Sequence, residues 1–170
     1  MLHHQKTRYL EAGTGHGLMA LTLMKRNQHA QYIGLDLSEH SLSFAKNIFS
    51  TAGLSDQHIE LHQCDLLNNH LNIGFCHAGI CCEVLEHVLH PEKILKFLWD
   101  HLHKGAKVFI TTVINIPAED HIYLFRTAKA IQTLIAEQNF LLVSELVLPL
   151  ESTKSSDFEQ ANYAAILEKV

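Results

Sequence analysis

The sequence predicts a doubly wound α/β domain with a mostly parallel sheet of seven strands. Short apolar segments typical of strands alternate with helical segments that carry apolar residues on one face. The last two strand segments are separated by a polar stretch alone, which predicts one antiparallel strand near the C-terminus. The chain has 170 residues, 47% of them hydrophobic, so residues 1–170 are predicted to form a single domain with a buried core.

The first elements of this pattern are two strands and two helices. Residues 7–12 predict a strand that leads into a glycine-rich loop at residues 13–17, and a helix follows. The second strand covers residues 32–36, and Ser38 is a good N-cap for a second helix that ends at Gly53. The residues predicted to face inward on the first helix are Leu18, Leu21 and Met24. On the second helix they are Leu42, Ala45, either Ile48 or Phe49, and Ala52.

The middle of the chain adds three strands and a helix. Strands are predicted at residues 59–64 and 75–82, and the second of these is apolar almost throughout, as in strands buried on both faces of a parallel sheet. Pro91 can open the next helix, and Gly105 is expected to end it before a strand at residues 107–115. The inward face of this helix is predicted to be Ile94, Leu95, Leu98 and Leu102.

The C-terminal part predicts a last helix at residues 127–138, with Asn139 as its cap and Ile131, Leu134 and Ile135 inward. Strands follow at residues 140–148 and 163–167, joined by an exposed loop at residues 151–160. Ligands of such sheets bind beyond the carboxyl ends of the strands. This rule places the chemistry in five loops, at residues 11–17, 36–38, 64–67, 82–87 and 115–121.

Composition restricts the partners that we expect. The net charge is −5 and no run of lysines or arginines occurs, so nucleic acid is not the expected partner. No apolar run approaches the ~18 residues of a membrane span, and residues 1–8 lack the apolar core of a secretory signal. We therefore expect a soluble, cytoplasmic protein without a membrane partner. The four cysteines lack paired spacing, and Cys81 and Cys82 are expected to be reduced and packed in a buried strand.

The loop at residues 11–17 and the acidic end of the second strand predict a nucleoside-bearing ligand. Asp36 stands nineteen residues after Gly17, where a carboxylate can accept the ribose hydroxyls. The third glycine that dinucleotide folds prefer would fall at position 18, which is Leu18. Glu11 would repel a pyrophosphate and can pair with a cationic amino group. These two residues favour S-adenosylmethionine over a nicotinamide cofactor.

With these motifs the chain resembles the class I S-adenosylmethionine-dependent methyltransferases, which have a Rossmann-like fold. The resemblance runs from Thr7 to the end of the chain. It implies that the glycine loop holds the methionine part, that Asp36 binds the ribose, and that Asp65 contacts the adenine amino group with Leu66 along the ring. The cofactor-binding residues that it implies are Glu11, Gly13, Thr14, Gly15, Gly17, Asp36, Leu37, Asp65, Leu66 and Glu83.

Residues 83–88 resemble a stretch of the ubiquinone-pathway O-methyltransferases and of the 2′-O-methyltransferases that act on small-RNA 3′ ends. In those families two glutamates and a histidine can hold a magnesium-like ion, which would correspond to Glu83, Glu86 and His87. Their spacing would place the three on one face of a helical turn. The same string occurs in relatives without metal, so a Mg²⁺ site is one of two alternatives.

His121 follows the fifth strand, in a loop expected to face the acceptor. An imidazole there can take a hydroxyl proton, which makes His121 the first candidate catalytic residue. His87, Glu86 and Tyr123 are weaker candidates for lining the acceptor site. With fourteen histidines in the chain, a surface or structural role is the alternative for each of them.

The first strand begins near residue 7, whereas many relatives carry helices before it. The domain is therefore predicted to lack most of the usual N-terminal helical cover. Its lid would come from residues 115–126 or from a partner subunit in a homo-oligomer, or be absent. The expected function is methyl transfer to a small molecule at oxygen, by in-line displacement. The alternatives are a metal-assisted RNA 3′-end methyltransferase and a non-catalytic methyltransferase-like binding domain, while Leu18 and Glu11 argue against a dehydrogenase.

Overall fold

The computed structural model describes residues 6–27, 29–54, 58–68, 71–150 and 160–170. The predicted loop at residues 151–160, except Gln160, lies outside the described residues. In chain order the elements are β1 (Arg8–Ala12), α1 (Leu18–Arg26), β2 (Gln31–Asp36), α2 (Glu39–Thr51), β3 (Ile59–Gln63), β4 (Cys76–Cys82), a 3₁₀ turn (Leu85–His87), α3 (Pro91–Asp100), β5 (Leu102–Ile114), α4 (Ala128–Glu137), β6 (Phe140–Pro149) and β7 (Ala161–Lys169).

The strands form one seven-stranded sheet in the order β3-β2-β1-β4-β5-β7-β6. Strands β1 to β5 run parallel, and β7 runs antiparallel to both of its neighbours, β5 and β6. The order reverses at β1, so β1 and β4 flank a crevice at their carboxyl ends. The predicted mostly parallel sheet with one antiparallel strand near the C-terminus is confirmed.

Helices cover both faces of the sheet. On one face α1 and α2 pack through a small core of Ala20, Met24, Tyr32, Ala45 and Phe49. On the other face α3 and α4 bury a larger core that includes Leu10, Ile33, Leu35, Ile94, Leu98, Ile131, Ile135 and Leu167. Adjacent β2 residues thus belong to different cores, as alternation along a strand requires. In the described residues no helix is long and apolar enough to cross a membrane.

Two local predictions are wrong. The helix opened by Pro91 ends at Asp100 and not at Gly105, and Leu102 is the first residue of β5. Gly105 has φ +77° and lies where the β4–β5 pairing jumps from Cys76–Leu102 to Ala78–Lys107, so the glycine serves a bulge. Leu18 is 65% exposed rather than inward, because the first turn of α1 faces a cavity.

Candidate active site

A cavity of about 850 Å³ opens at the carboxyl ends of β1 to β4. Four of the five loops predicted from the sequence line it, at residues 11–17, 36–38, 64–67 and 82–87. The segment after β5 contributes Ile122, just beyond the predicted loop at residues 115–121. The predicted cofactor-binding residues line it, apart from Gly17: Glu11, Gly13, Thr14, Gly15, Asp36, Leu37, Asp65, Leu66 and Glu83.

The glycine loop requires its glycines for conformation and for space. Gly13 and Gly17 both have φ +76°, a left-handed conformation that side chains disfavour. A Cβ atom on Gly13 would lie 2.3 Å from Val84 Cγ2, and one on Gly17 would lie 2.4 Å from Phe49 Cζ. Gly17 therefore sets the packing of the loop on α2 and does not itself face the cavity.

Glu11 is a buried carboxylate in the wall of the cavity. Its side chain is 2% exposed, and its Oε2 accepts hydrogen bonds from Thr14 Oγ1 at 3.0 Å and from the Tyr32 hydroxyl. Burial is the main reason that the pKa of Glu11 rises from 4.5 to about 7, and the charge of Asp36 raises it further. Since Glu11 lines an open cavity, a cation placed there would favour its ionised form.

Asp36 ends β2 with both carboxylate oxygens held by the backbone. Oδ2 accepts from the Gly15 amide at 2.7 Å, and Oδ1 accepts from the Ser38 amide at 2.8 Å. These bonds join the glycine loop to the N-terminus of α2 and fix the orientation of the carboxylate. Each oxygen keeps a second lone pair that can accept a ligand hydroxyl.

Asp65 follows β3 in a turn that its own side chain closes. Its Oδ1 accepts from the Leu67 amide at 2.9 Å, and its Oδ2 accepts from Asn68 Nδ2 at 2.8 Å. These hydrogen bonds, the one from Asn68 first, lower the pKa of Asp65 below its usual value. Leu66 and Leu67 are both placed in the cavity wall by the same turn.

Glu83 leaves β4 in a strained backbone conformation. Its φ is +53°, which is uncommon for a residue with a side chain, and its Oε1 accepts from Thr111 Oγ1 at 2.6 Å. The neighbouring Cys82 lines the cavity, and burial raises the pKa of its thiol to about 11. Cys81 is fully buried in the core. Neither thiol is ionised near neutral pH, in keeping with the predicted packing role of both residues.

Glu86 ties the 3₁₀ turn to the segment after β5. The residue is 1% exposed, its Oε2 accepts from Thr112 Oγ1 at 2.9 Å, and its Oε1 has no hydrogen-bond partner among the described residues. The Glu86 carbonyl accepts from the amides of Ile122 and Tyr123 at 2.8 and 2.9 Å. Burial raises the pKa of Glu86, and Glu83 adds to this effect.

His87 and His121 lie beside Glu86 with their rings 5.1 Å apart. His87 Nδ1 donates to the Asp120 carbonyl at 2.9 Å, and His121 Nδ1 donates to the Ile116 carbonyl at 2.7 Å. A proton on Nδ1 leaves the Nε2 lone pair of each neutral ring available. One ligand atom from each of Glu86, His87 and His121 lies within 4.8 Å of the others. Three side chains from two segments are thus assembled into one cluster.

The comparison with known families decides the class. Residues 10–108 match the family model described as a methyltransferase domain. The chain belongs to the methyltransferase domain family. The expected class, S-adenosylmethionine-dependent methyltransferases with a Rossmann-like α/β fold, is thereby confirmed.

Two curated relatives of this methyltransferase domain are ubiquinone biosynthesis O-methyltransferases. The one from Idiomarina loihiensis is 31% identical over 124 residues, which cover 66% of this chain and 48% of the relative. The one from Marinobacter nauticus is 27% identical over 110 residues, which cover 65% of this chain and 45% of the relative. The chain spans about half the length of the curated relatives it matches.

Solved structures with little sequence similarity share the fold. The cyclase SpnF superposes with a TM-score of 0.79 at 13% identity, over 99% of this chain and 77% of that one. A second structure is an O-methyltransferase from a trans-AT PKS multienzyme of Brevibacillus brevis, in complex with S-adenosyl-L-homocysteine. It has a TM-score of 0.78 at 11% identity, over 96% of this chain and 67% of that one. These likenesses establish the fold alone.

The geometry also revises the expected metal set. Glu83, Glu86 and His87 were expected on one face of a helical turn, but the 3₁₀ turn begins at Leu85 and Glu83 lies before it, directly after the last residue of β4. Among the described residues, the cluster able to hold a metal ion contains His121 in place of Glu83. Tyr32 was expected only as a strand residue. The sequence did not predict the hydrogen bond from its hydroxyl to Glu11.

Proposed function

We propose that this methyltransferase domain transfers a methyl group from S-adenosylmethionine to a hydroxyl oxygen of an apolar small molecule. The observation that carries the proposal is one cavity whose lining combines carboxylates with exposed apolar side chains. Glu11 and Asp36 supply the carboxylates, and Leu18, Leu89 and Ile122 are each more than 60% exposed. The names of the curated relatives support oxygen as the methylated atom.

The carboxylates of the lining suit the polar ends of the cofactor. Glu11 would pair with its ammonium group, and the spare lone pairs of Asp36 would accept the ribose hydroxyls. Leu66 and Leu67 would lie against the adenine, with Asp65 toward the adenine amino group. When bound, S-adenosylmethionine supplies a sulfonium methyl carbon with a good leaving group, so the protein needs no nucleophile of its own.

The exposed apolar residues of the lining would orient the acceptor and exclude water. In-line displacement depends mainly on holding the acceptor oxygen in line with the methyl carbon. The apolar side chains of Leu89 and Ile122 would bind an apolar acceptor and keep water from the reacting atoms. The Ile122 and Tyr123 amides that bond to Glu86 hold this part of the lid in place. These contacts support the 115–126 segment as the predicted lid.

His121 is not itself among the lining residues, but its ring lies against that of His87, which lines the cavity. His121 would take the acceptor's hydroxyl proton at Nε2, because its Nδ1 already donates to the Ile116 carbonyl. The Asp120 carbonyl holds His87 in the same tautomer, so His87 would be the alternative base. The carboxylate of Glu86, partly unpaired at Oε1, would stabilise the imidazolium that forms.

The cluster also has a donor set that fits a divalent cation. One carboxylate and two imidazoles suit Zn²⁺, Mn²⁺ or Fe²⁺ better than Mg²⁺, which prefers oxygen ligands. A bound cation would lower the pKa of an acceptor hydroxyl. Activity that survives chelation favours His121 as the base, and activity restored by Mn²⁺ but not by Mg²⁺ favours the metal.

The first experiment is calorimetric titration with S-adenosylmethionine and S-adenosylhomocysteine, with NAD as the control. Saturable micromolar binding of the two sulfur ligands alone supports the cofactor assignment. Labelled S-adenosylmethionine is then offered with a panel of phenols and catechols that differ in the length of an apolar chain. Turnover that rises with chain length supports the proposal. Binding without product across the whole panel favours the non-catalytic alternative.

A further inference from the structure

A glycine in the interior of β2 leaves space beside Glu11, and a tyrosine ring fills that space. Glu11 of β1 pairs with Gly34 of β2, and Tyr9 pairs with Tyr32. The φ of Gly34 is not positive, so its backbone conformation does not require glycine. A Cβ atom on Gly34 would lie 2.9 Å from Tyr32 Cε1 and 3.0 Å from Thr14 Cγ2. Glycine weakens a strand interior, and here its position is explained by the close approach of these two side chains.

Tyr32 reaches Glu11 through this space. Its side chain is fully buried, and its ring makes an edge contact with Phe49, with the ring centroids 6.5 Å apart. Its hydroxyl donates to Glu11 Oε2, two positions farther along β1 than the residue with which Tyr32 pairs. The residues that line the cavity include Glu11 and Thr14 but not Tyr32. The Tyr32 hydroxyl would therefore act on a ligand through the side chains to which it bonds.

The two hydroxyls at Glu11 bond to the same carboxylate oxygen. Thr14 Oγ1 donates to Oε2 at 3.0 Å, and the Tyr32 hydroxyl donates to the same atom. The Thr14 and Tyr32 hydroxyls also contact each other. Two bonds to Oε2 restrict the rotation of the carboxylate, and they leave the lone pairs of Oε1 for a group that enters the cavity.

Hydroxyls take the place of a counter-ion at Glu11. Among the described residues, the groups that shift the pKa of Glu11 include no lysine or arginine. Burial raises this pKa, and the negative charge of Asp36 on β2 raises it further. Cys81 and Cys82 of the neighbouring β4 stay neutral near pH 7, because burial raises the pKa of both thiols. A buried carboxylate without a cation is costly, so the bonds from the two hydroxyls are what favours its ionised form.

We infer that Tyr32 is a positioning residue for a cationic ligand: its hydroxyl holds Glu11 Oε2, so that the ionised carboxylate presents Oε1 to an ammonium group in the cavity. The inference rests on the proposed function, because the ammonium group is taken to be that of S-adenosylmethionine. Gly34 provides the space in which the Tyr32 ring lies. Loss of the hydroxyl alone would leave the lining of the cavity unchanged and remove one of the two donors at Glu11.

Tyr32→Phe tests the inference, because it removes the hydroxyl and keeps the ring. Calorimetry with S-adenosylhomocysteine, which carries the same ammonium group, measures the affinity of the full chain. In the variant the pKa of Glu11 is expected to rise from about 7 by about one pH unit. The affinity should then be about ten-fold below that of the wild type at pH 6, about five-fold below at pH 7 and nearly equal at pH 9. The ratio of the two affinities is compared, because the ammonium group of the probe titrates equally in both experiments.

Tyr9→Phe is the matched control. Tyr9 stands beside Tyr32, packs against the same core and does not line the cavity. Its replacement is expected to leave the affinity unchanged at every pH. In a Glu11→Gln background, Tyr32→Phe is expected to change the affinity by less than about two-fold, because the charge that the hydroxyl favours is absent. Thermal unfolding checks that all variants are folded.

NMR of isotopically labelled glutamate carboxyl groups follows the ionisation of Glu11 without any ligand, with Glu11→Gln to assign its signal. Two results overturn the inference: a Glu11 midpoint that does not move in Tyr32→Phe, or an affinity ratio that is the same at pH 6 and pH 9. Failure of the proposed function has a different signature. A wild type that does not bind the probe, while its Glu11 midpoint still depends on Tyr32, overturns the cofactor assignment and the positioning role with it.

Discussion

The carboxylate of Glu11 accepts a hydrogen bond from the hydroxyl of Tyr32, on the neighbouring strand, in the wall of the cavity that we assign to the cofactor. Thr14 donates to the same carboxylate oxygen, so two neutral hydroxyls are the bonded partners of a buried acid. Burial raises the pKa of Tyr32, so its hydroxyl stays protonated as a donor. An acid with this environment changes its charge near neutral pH, which makes it sensitive to a cationic ligand.

Binding of S-adenosylmethionine is expected to strengthen as the pH rises from 6 to 7.5. The pKa of Glu11 is about 7 in the free protein, so the carboxyl is mostly neutral at pH 6 and mostly ionised at pH 7.5. A ligand ammonium pairs with the ionised form, which predicts a rise in affinity of about eight-fold and release of a proton on binding at pH 6. Calorimetry in buffers of different ionisation enthalpy measures both. A Glu11→Gln variant that keeps the full pH dependence would assign it to another group.

The free energy of unfolding is expected to fall as the pH rises through the same range. The pKa of Glu11 is raised from 4.5 to about 7 on folding, so between these values the folded state keeps a proton that the unfolded chain has lost. The stabilisation is complete below pH 4.5 and is lost as the pH rises to 7, by about 3 kcal/mol in all. Urea unfolding at pH 5 and pH 8 measures it. Comparison with Glu11→Gln removes the contribution of the histidines, and equal pH dependence in both proteins contradicts the prediction.

Local sequence signals predicted most of the fold because each depends on residues close together in the chain. The Ser38 side chain caps α2 by accepting from the Ser41 amide at 3.2 Å, and Pro91 occupies the first turn of α3, both as expected. Gly105 was misread because a glycine with positive φ serves a helix end and a strand bulge equally well. The pairing of β4 with β5, which joins residues distant in the chain, decides that Gly105 serves the bulge.

The site was predicted less completely, because its decisive contacts join distant residues. The loops followed from the topology, since carboxyl ends of parallel strands meet at one edge. The Glu11–Tyr32 bond joins residues on two strands, and His121 meets His87 where the Glu86 carbonyl accepts from the two amides that follow His121. No local periodicity reports such contacts. The prediction that Glu83 shares one face of a helical turn with Glu86 and His87 is wrong, because the positive φ of Glu83 keeps it outside the turn.

Replacement of Asp36 by alanine is expected to weaken cofactor binding by about 1–3 kcal/mol, through loss of charge-assisted ribose bonds. The substitution also removes the acceptor for the Gly15 and Ser38 amides, so part of the effect would come from the loop. Asp36→Asn keeps an acceptor oxygen without the charge and separates the two contributions. Calorimetric affinity, with thermal unfolding as the fold control, provides the measurement. Unchanged affinity in Asp36→Ala would place the ribose elsewhere.

Replacement of His121 by alanine is expected to lower kcat about 10²–10⁴-fold while the affinity for S-adenosylmethionine changes little, because the imidazole is assigned to the acceptor's proton. His103→Ala is the matched control, since His103 is exposed and its ring contacts are with Phe75 and His77, which do not line the cavity. Single-turnover kinetics with saturating cofactor measure the methyl-transfer step, and calorimetry measures binding. If kcat and cofactor affinity fall together in His121→Ala, with thermal unfolding at lower temperature, the residue supports the lid and has no part in the chemistry.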